Sequence, residues 1–139
     1  MNLVSYILLP PLLIAACTDI KDRTIPIWLF PSTLIAYIIC CVFTGQPMGY
    51  TNIIGFIVMG TASLTGCVAG FMGGGDVIML AVIGYIFGIN KIIPFTVLMM
   101  LTGFIVFAVK KFKDVEIPVA PLVLIAFIVY LVLGQVVTK

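Results

Sequence analysis

Long apolar stretches without charge constrain this chain more than any other feature of its sequence. No charged residue lies between Arg23 and Asp76, and none lies between Lys91 and Lys110. The chain is 63% hydrophobic and 9% charged, whereas soluble domains are about 45–50% apolar and about 25% charged. Since a helix that spans a bilayer needs about 20 mostly apolar residues, the sequence predicts an integral membrane protein.

Short polar, charged or glycine-containing segments divide the apolar sequence into about six spans of the length that a membrane helix needs. Pro10-Pro11 is expected to kink or split the first helix, and 45–49 and Asn90-Lys91 are expected to connect neighbouring helices. We therefore predict an all-α polytopic membrane protein that forms one domain over residues 1–139. The predicted helices cover about 3–18, 28–43, 52–69, 75–88, 92–109 and, starting in the segment 117–121, a last helix to about 136.

The basic residues predict the orientation of these helices, because cytoplasmic connections carry an excess of Lys and Arg. With six spans, the connections near 19–27, 70–75 and 110–118 share one face. That face holds most of the basic residues, namely Lys21, Arg23, Lys110, Lys111 and Lys113, whereas the other holds Lys91 and Lys139. We expect the first face to lie in the cytoplasm and both termini to lie on the extracytoplasmic side of the cell membrane.

Composition argues against several classes of function. The net charge of +2 is too small and too scattered to indicate nucleic-acid binding. Histidine is absent, which removes the usual general base and most zinc or haem sites. The cysteines lack metal-site spacing and are interpreted as small apolar packing residues; they are Cys17, Cys40, Cys41 and Cys67. We expect neither a metal nor a cofactor.

Two aspartates are predicted to meet at the cytoplasmic face. Asp19 ends the first span and Asp76 begins the fourth, and a charge that borders a membrane span is costly enough to indicate function. When two carboxylates approach closely, their repulsion allows one to stay protonated while the other is ionised. Such a pair can hydrolyse a peptide, because one member activates water and the other donates a proton to the reacting carbonyl and the leaving amine.

Three glycines precede the second aspartate. Gly73, Gly74 and Gly75 lack side chains, so an extended substrate can approach Asp76 and the loop can adopt positive φ angles. A helix that begins near Asp76 favours its ionised form, which points to Asp76 as the general base. In the alternative interpretation, Asp76 only caps the helix and the glycines only turn the chain.

Three motifs resemble those of the prepilin peptidases, or type IV leader peptidases, which are membrane aspartyl proteases of the Gly-x-Gly-Asp type related to archaeal preflagellin peptidases. Asp19, five further residues and Ile25-Pro26 are similar to the family's first aspartate motif, with Arg23 in its basic stretch. The segment 73–77 resembles the second aspartate motif, and 117–121 resembles the Ile-Pro-x-Ala-Pro segment.

The resemblance implies that Asp19 and Asp76 are the catalytic pair and that they cut the short basic leader from pilin-like precursors at the cytoplasmic face. It also implies active-site or substrate-binding roles for nearby residues, namely Gly73, Gly74, Gly75, Arg23, Pro26, Pro118 and Pro121. Asp22 has the wrong spacing to Ile25-Pro26 for the family aspartate. The chain resembles the short, stand-alone branch without a methyltransferase domain, so we expect peptidase but no methyltransferase activity.

Two positions depart from the family pattern, which has Asn after Ile-Pro and Lys two positions after the second aspartate. Ile27 and Ile78 stand there in this chain. One alternative is therefore an inactive structural member of a pilus system. Another is a small transporter or channel subunit whose aspartates bind cations or relay protons, but charged residues in the middle of the spans are absent from the sequence.

Overall fold

The computed structural model describes residues 3–22, 24–70, 72–109 and 119–137, which are almost entirely helical. This confirms the predicted all-α fold class. The helices are a short 3-10 helix at Leu3–Leu8, then α1 at Leu9–Asp22, α2 at Leu29–Thr44, α3 at Tyr50–Val68, α4 at Gly74–Val109 and α5 at Val119–Val137.

The first segment changes from a 3-10 helix to α1 directly before Pro10-Pro11, as the predicted split required. Both prolines occupy the first turn of α1, where backbone N–H groups have no acceptor within the helix and a proline removes no hydrogen bond. The predicted end at Thr18 is wrong, because α1 continues to Asp22. Asp19 therefore lies in the last turn of α1 and not in the connection that follows it.

The predicted turn between α2 and α3 is confirmed at residues 45–49. Gly45 has a φ of 63° and donates its backbone N–H to the carbonyl oxygen of Cys41, which ends α2 in the left-handed conformation that glycine adopts without strain. The backbone N–H of Gly49 donates to Oδ1 of Asn52 at 3.2 Å. The Nδ2 group of Asn52 donates to the carbonyl oxygen of Tyr85 at 2.8 Å, so this end of α3 is tied to α4.

Helix α4 is interrupted at Gly88, whose φ of 65° and ψ of 168° are not helical. Met59 of α3 lies against Gly84, and its sulfur is 3.7 Å from the hydroxyl of Thr96. Residues 84 and 96 would be about 18 Å apart along a straight helix, so the chain turns back at Gly88. The connection predicted at Asn90-Lys91 is wrong by two positions, since both residues are already helical.

Glycines allow α3 to pack closely against α4. A Cβ atom on Gly55 would collide with the carbonyl oxygen of Gly84, and a Cβ on Gly84 would collide with that of Gly55. Gly60 lies against Ala81, and Gly66 lies against Met72. These contacts support the interpretation of the third helix's glycines, Gly55, Gly60 and Gly66, as packing positions that bring helices together in membranes.

The surface of the molecule is rich in apolar side chains. Phe43 is 87% exposed and Val68 is 83% exposed, which is costly in water and ordinary against lipid. By length and composition, Tyr50–Val68 and the longer Gly74–Ile105 are apolar enough to cross a membrane, but the second segment contains the reversal at Gly88. Leu29–Thr44 and Val119–Leu133 are apolar but shorter. Among the cysteines, Cys41 is buried in the core, as a packing residue would be, and Cys17 is exposed.

Candidate active site

Asp19 is held by the beginning of the last helix. Its side chain is only 9% exposed, and its Oδ2 atom accepts a hydrogen bond from the backbone N–H of Ala120 at 3.1 Å. Ala120 is the second residue of α5, and N–H groups in a first turn have no acceptor within their own helix. Asp19 therefore caps α5 from the last turn of α1, although the two residues are 101 positions apart.

Asp76 is held by its own helix. It lies in the first turn of α4, and its Oδ2 atom accepts the backbone N–H of Gly73 at 3.0 Å. In return, the N–H of Asp76 donates to the carbonyl oxygen of Gly73 at 3.1 Å. A third-position carboxylate that reaches back to the residue before the helix is half of a capping box. The cap interpretation of Asp76 is thus correct for its geometry.

Three influences act on the ionisation of the Asp76 carboxyl group. Burial is the largest, the hydrogen bond from Gly73 is the second, and the like charge of Asp19 is the smallest. Asp19 belongs to α1, whereas Asp76 belongs to α4. Repulsion between like charges matters in a partly desolvated site, because the low local dielectric screens charges less than water does. The helix cap and the carboxylate pair therefore coexist at Asp76.

The glycine segment contacts the other aspartate motif. A Cβ atom on Gly75 would lie 3.0 Å from Cβ of Ile25 and 3.2 Å from its carbonyl oxygen, whereas a Cβ on Gly74 would have no neighbour within 4 Å. Gly75 therefore allows a close contact, and Gly74 faces open space. In the structure, the positive φ of this connection falls at Gly70, at 79°, and not at Gly73, Gly74 or Gly75.

The other predicted site residues are less closely connected to the carboxylates. The carbonyl oxygen of Pro26 accepts the backbone N–H of Leu29 at 3.1 Å at the start of α2. Pro121 is half-buried in the first turn of α5. Arg23 and Pro118 lie outside the described residues. Asp22, the aspartate with the wrong spacing, is exposed.

The two departures from the family pattern have different surroundings. Ile27 is 67% exposed beside the equally exposed Trp28, so it does not contribute to the buried site. Ile78 is half-buried and packs against the core two positions after Asp76. The apolar side chain at 78 is therefore accommodated by packing.

Sequence reasoning missed the contribution of the backbone. The N–H of Ala120 and the backbone of Ile25 carry no side-chain signature, although Pro118 and Pro121 indicate that a helix begins nearby. Among the described residues, no group of three or more His, Cys, Asp or Glu side chains could hold a metal ion. The arrangement offers two carboxylates, each with one backbone N–H partner, and carboxylates can act as general acids and bases.

Comparison with known proteins gives a family match. The model of the type IV leader peptidase family matches residues 6–108, a range that contains both Asp19 and Asp76 and ends before α5. Neither the curated proteins nor the solved structures give a significant match.

Proposed function

Since the chain belongs to the type IV leader peptidase family, we propose that it is an aspartic endopeptidase with Asp19 and Asp76 as its catalytic pair. The observation that carries this proposal is the family match over residues 6–108, a range that contains both aspartates. Two contacts support it. Asp19, in the first aspartate motif, accepts a hydrogen bond from Ala120 in the segment 117–121. Ile25, in the same first motif, packs against Gly75 of the second aspartate motif. The first motif therefore contacts both of the others.

In the proposed reaction, an ionised carboxylate takes a proton from a water molecule, and the oxygen of that water attacks the scissile carbonyl. The protonated carboxyl group donates to the developing oxyanion and, in the next step, a proton is delivered to the leaving amine. Both Asp19 and Asp76 accept one backbone N–H, so hydrogen bonding does not distinguish base from acid. The assignment of Asp76 as the base stays a prediction.

The proposed substrate is a pilin-like precursor with a short basic leader, cut at the cytoplasmic face. The open space at Gly74 supports a peptide substrate in general, because an extended peptide needs a position where no side chain blocks its approach to Asp76. The reversal at Gly88 supports a count of six helical segments, and six spans would bring Asp19 and Asp76 to one face of the membrane. The excess of basic residues indicates that this face is cytoplasmic.

The test is cleavage of a prepilin by the protein in membranes, with Asp19→Asn and Asp76→Asn as the decisive variants. An asparagine oxygen can still accept the N–H of Ala120 or Gly73, so both helix caps are kept while the acid and base chemistry is lost. We expect no detectable cleavage by either variant. Asp22→Asn is the matched control, because Asp22 is exposed in the same turn of α1, and it should cleave like the wild type.

Two other results would change the proposal. Cleavage that persists in both Asp19→Asn and Asp76→Asn would exclude the carboxylate mechanism. A wild-type protein that folds but cleaves no pilin-like precursor would indicate the inactive structural member of a pilus system.

A further inference from the structure

A polar cavity lies at the other end of the helices from the two aspartates. It has a volume of about 160 Å³ and is formed where the α2–α3 connection meets the turn at Gly88. Residues 76 and 88 are separated by about 18 Å along α4 at 1.5 Å per residue, so the cavity is distinct from the carboxylate pair. Its polar lining consists of Tyr37, Gln46, Thr51, Asn52, Asn90 and Lys91.

The walls of this cavity are fixed by hydrogen bonds between helices. The hydroxyl of Tyr37 donates to the carbonyl oxygen of Ile86 at 3.3 Å, and Nδ2 of Asn52 donates to that of Tyr85 at 2.8 Å. Gly88 lies against the backbone of Thr51. The three elements that surround the cavity are thus joined before any ligand arrives, and a preformed site loses less conformational entropy on binding.

The charge of the cavity favours an anion. Lys91 is the cation of the lining, and no Asp or Glu side chain is among the residues that form it. Within the described part of the chain, no side-chain hydrogen bond or ion pair occupies Lys91 or Asn90. Both residues are exposed, so the cavity opens to the surface.

A neutral donor of the lining complements that charge. The amide of Asn90 lies at the exposed rim with Lys91, whereas the amide of Asn52 is engaged by the carbonyl oxygen of Tyr85 and by the side chain of Tyr37. A ligand with several acceptor oxygens and negative charge matches the ammonium group of Lys91 and the amide of Asn90. A phosphate group has both properties, and the cavity is large enough for one.

We propose that this cavity binds a phosphate group, carried by a lipid headgroup or free in solution. The bilayer interface is rich in phospholipid, and the predicted topology places Lys91 at the extracytoplasmic interface, where a headgroup can enter beside the exposed rim. Free phosphate would reach the same donors from the aqueous side. The proposal does not depend on the peptidase reaction, which uses the other end of the helices.

The lipid arm of the test uses the full-length protein in nanodiscs of phosphatidylcholine that contain phosphatidylglycerol, and native mass spectrometry measures the retained anionic lipid. The phosphate arm uses delipidated protein in detergent, titrated with inorganic phosphate against sodium chloride of equal ionic strength and followed by thermal unfolding. In whichever arm the wild type shows binding, of phosphatidylglycerol or of inorganic phosphate, Lys91→Gln should weaken that binding about tenfold. Lys91→Arg should retain most of it.

Lys21→Gln is the matched control, because Lys21 is an exposed lysine that does not line the cavity. A response in the lipid arm alone identifies a headgroup, and a response in the phosphate arm alone identifies a free anion. Asn90→Ala, at the second rim residue, should also weaken binding. Equal losses for Lys21→Gln and Lys91→Gln, or no response of the wild type in either arm, would overturn the proposal.

Discussion

Asp19 should have a structural role that can be separated from its proposed catalytic one. Asp19→Ala removes the acceptor of the Ala120 N–H at a buried position. Loss of a helix cap costs about 0.5–2 kcal/mol, and an unsatisfied buried donor costs about 1–3 kcal/mol. Because these figures describe the same hydrogen bond, we expect a loss of about 1–3 kcal/mol. For a chain of this size that corresponds to a drop in Tm of about 3–10 °C.

Asp19→Asn should behave differently, because it keeps an acceptor oxygen for Ala120 and removes the repulsion between Asp19 and Asp76. We expect it to be more stable than Asp19→Ala and within about 1 kcal/mol of the wild type, because the weaker hydrogen bond to a neutral acceptor opposes the gain from the lost repulsion, although it cleaves no substrate. The assay is thermal unfolding of the wild type and both variants in one detergent, with Asp22→Ala as the exposed control and an expected change within about 0.5 kcal/mol. Equal stability of Asp19→Ala and wild type would refute the capping role of Asp19, and so would Asp19→Asn being as unstable as Asp19→Ala.

Three further predictions concern glycines and use the same unfolding measurement. Gly75→Ala should lower stability by about 1–3 kcal/mol and reduce cleavage, because its Cβ would press on Ile25; Gly74→Ala, which meets no neighbour, should leave stability nearly unchanged, and an equal effect of both would contradict the contact. Gly84→Ala should separate α3 from α4 and lower the free energy of unfolding. Gly103→Ala, where an added Cβ would also have no neighbour within 4 Å, should preserve the free energy of unfolding or raise it by up to about 1 kcal/mol. Gly88→Ala should destabilise the turn by about 1–3 kcal/mol, because a φ of 65° with a ψ of 168° is a combination that essentially only glycine adopts. An unchanged Tm would argue against the reversal there.

Most of the architecture could be predicted from the sequence because it depends on where apolar stretches begin and end. The turn at 45–49 was predictable from its glycines and proline, and the prediction that Asp19 and Asp76 share one face follows from the even number of predicted spans between them, which is two. The end of α1 was not predictable from charge alone. Helix ends depend on where backbone groups find partners, so a helix can continue through polar residues to Asp22.

Two features of the fold have no clear side-chain pattern. The chain reverses at Gly88 because glycine adopts a positive φ without strain. The connection was predicted at Asn90-Lys91 instead, because these two residues are more polar than their neighbours. The partner of Asp19 is a backbone N–H, which every residue except proline carries. The amino-acid sequence therefore does not distinguish Ala120 from its neighbours as the hydrogen-bond donor. Only the packing of α1 beside α5 selects it.

The same hydrogen bonds connect the proposed chemistry to the positions of two helices. Asp19 uses Oδ2 to hold the start of α5, and Asp76 uses Oδ2 to hold the start of α4. A carboxylate has about four lone-pair sites, so one bond to the backbone leaves Oδ1 of each residue available for water and substrate. A change in the charge of either aspartate also changes the strength of its cap, because a charged acceptor forms the stronger hydrogen bond. The caps therefore fix the orientation of both carboxylates. Proton transfer during the proposed reaction would also change the strength of the hydrogen bonds that cap the starts of α4 and α5.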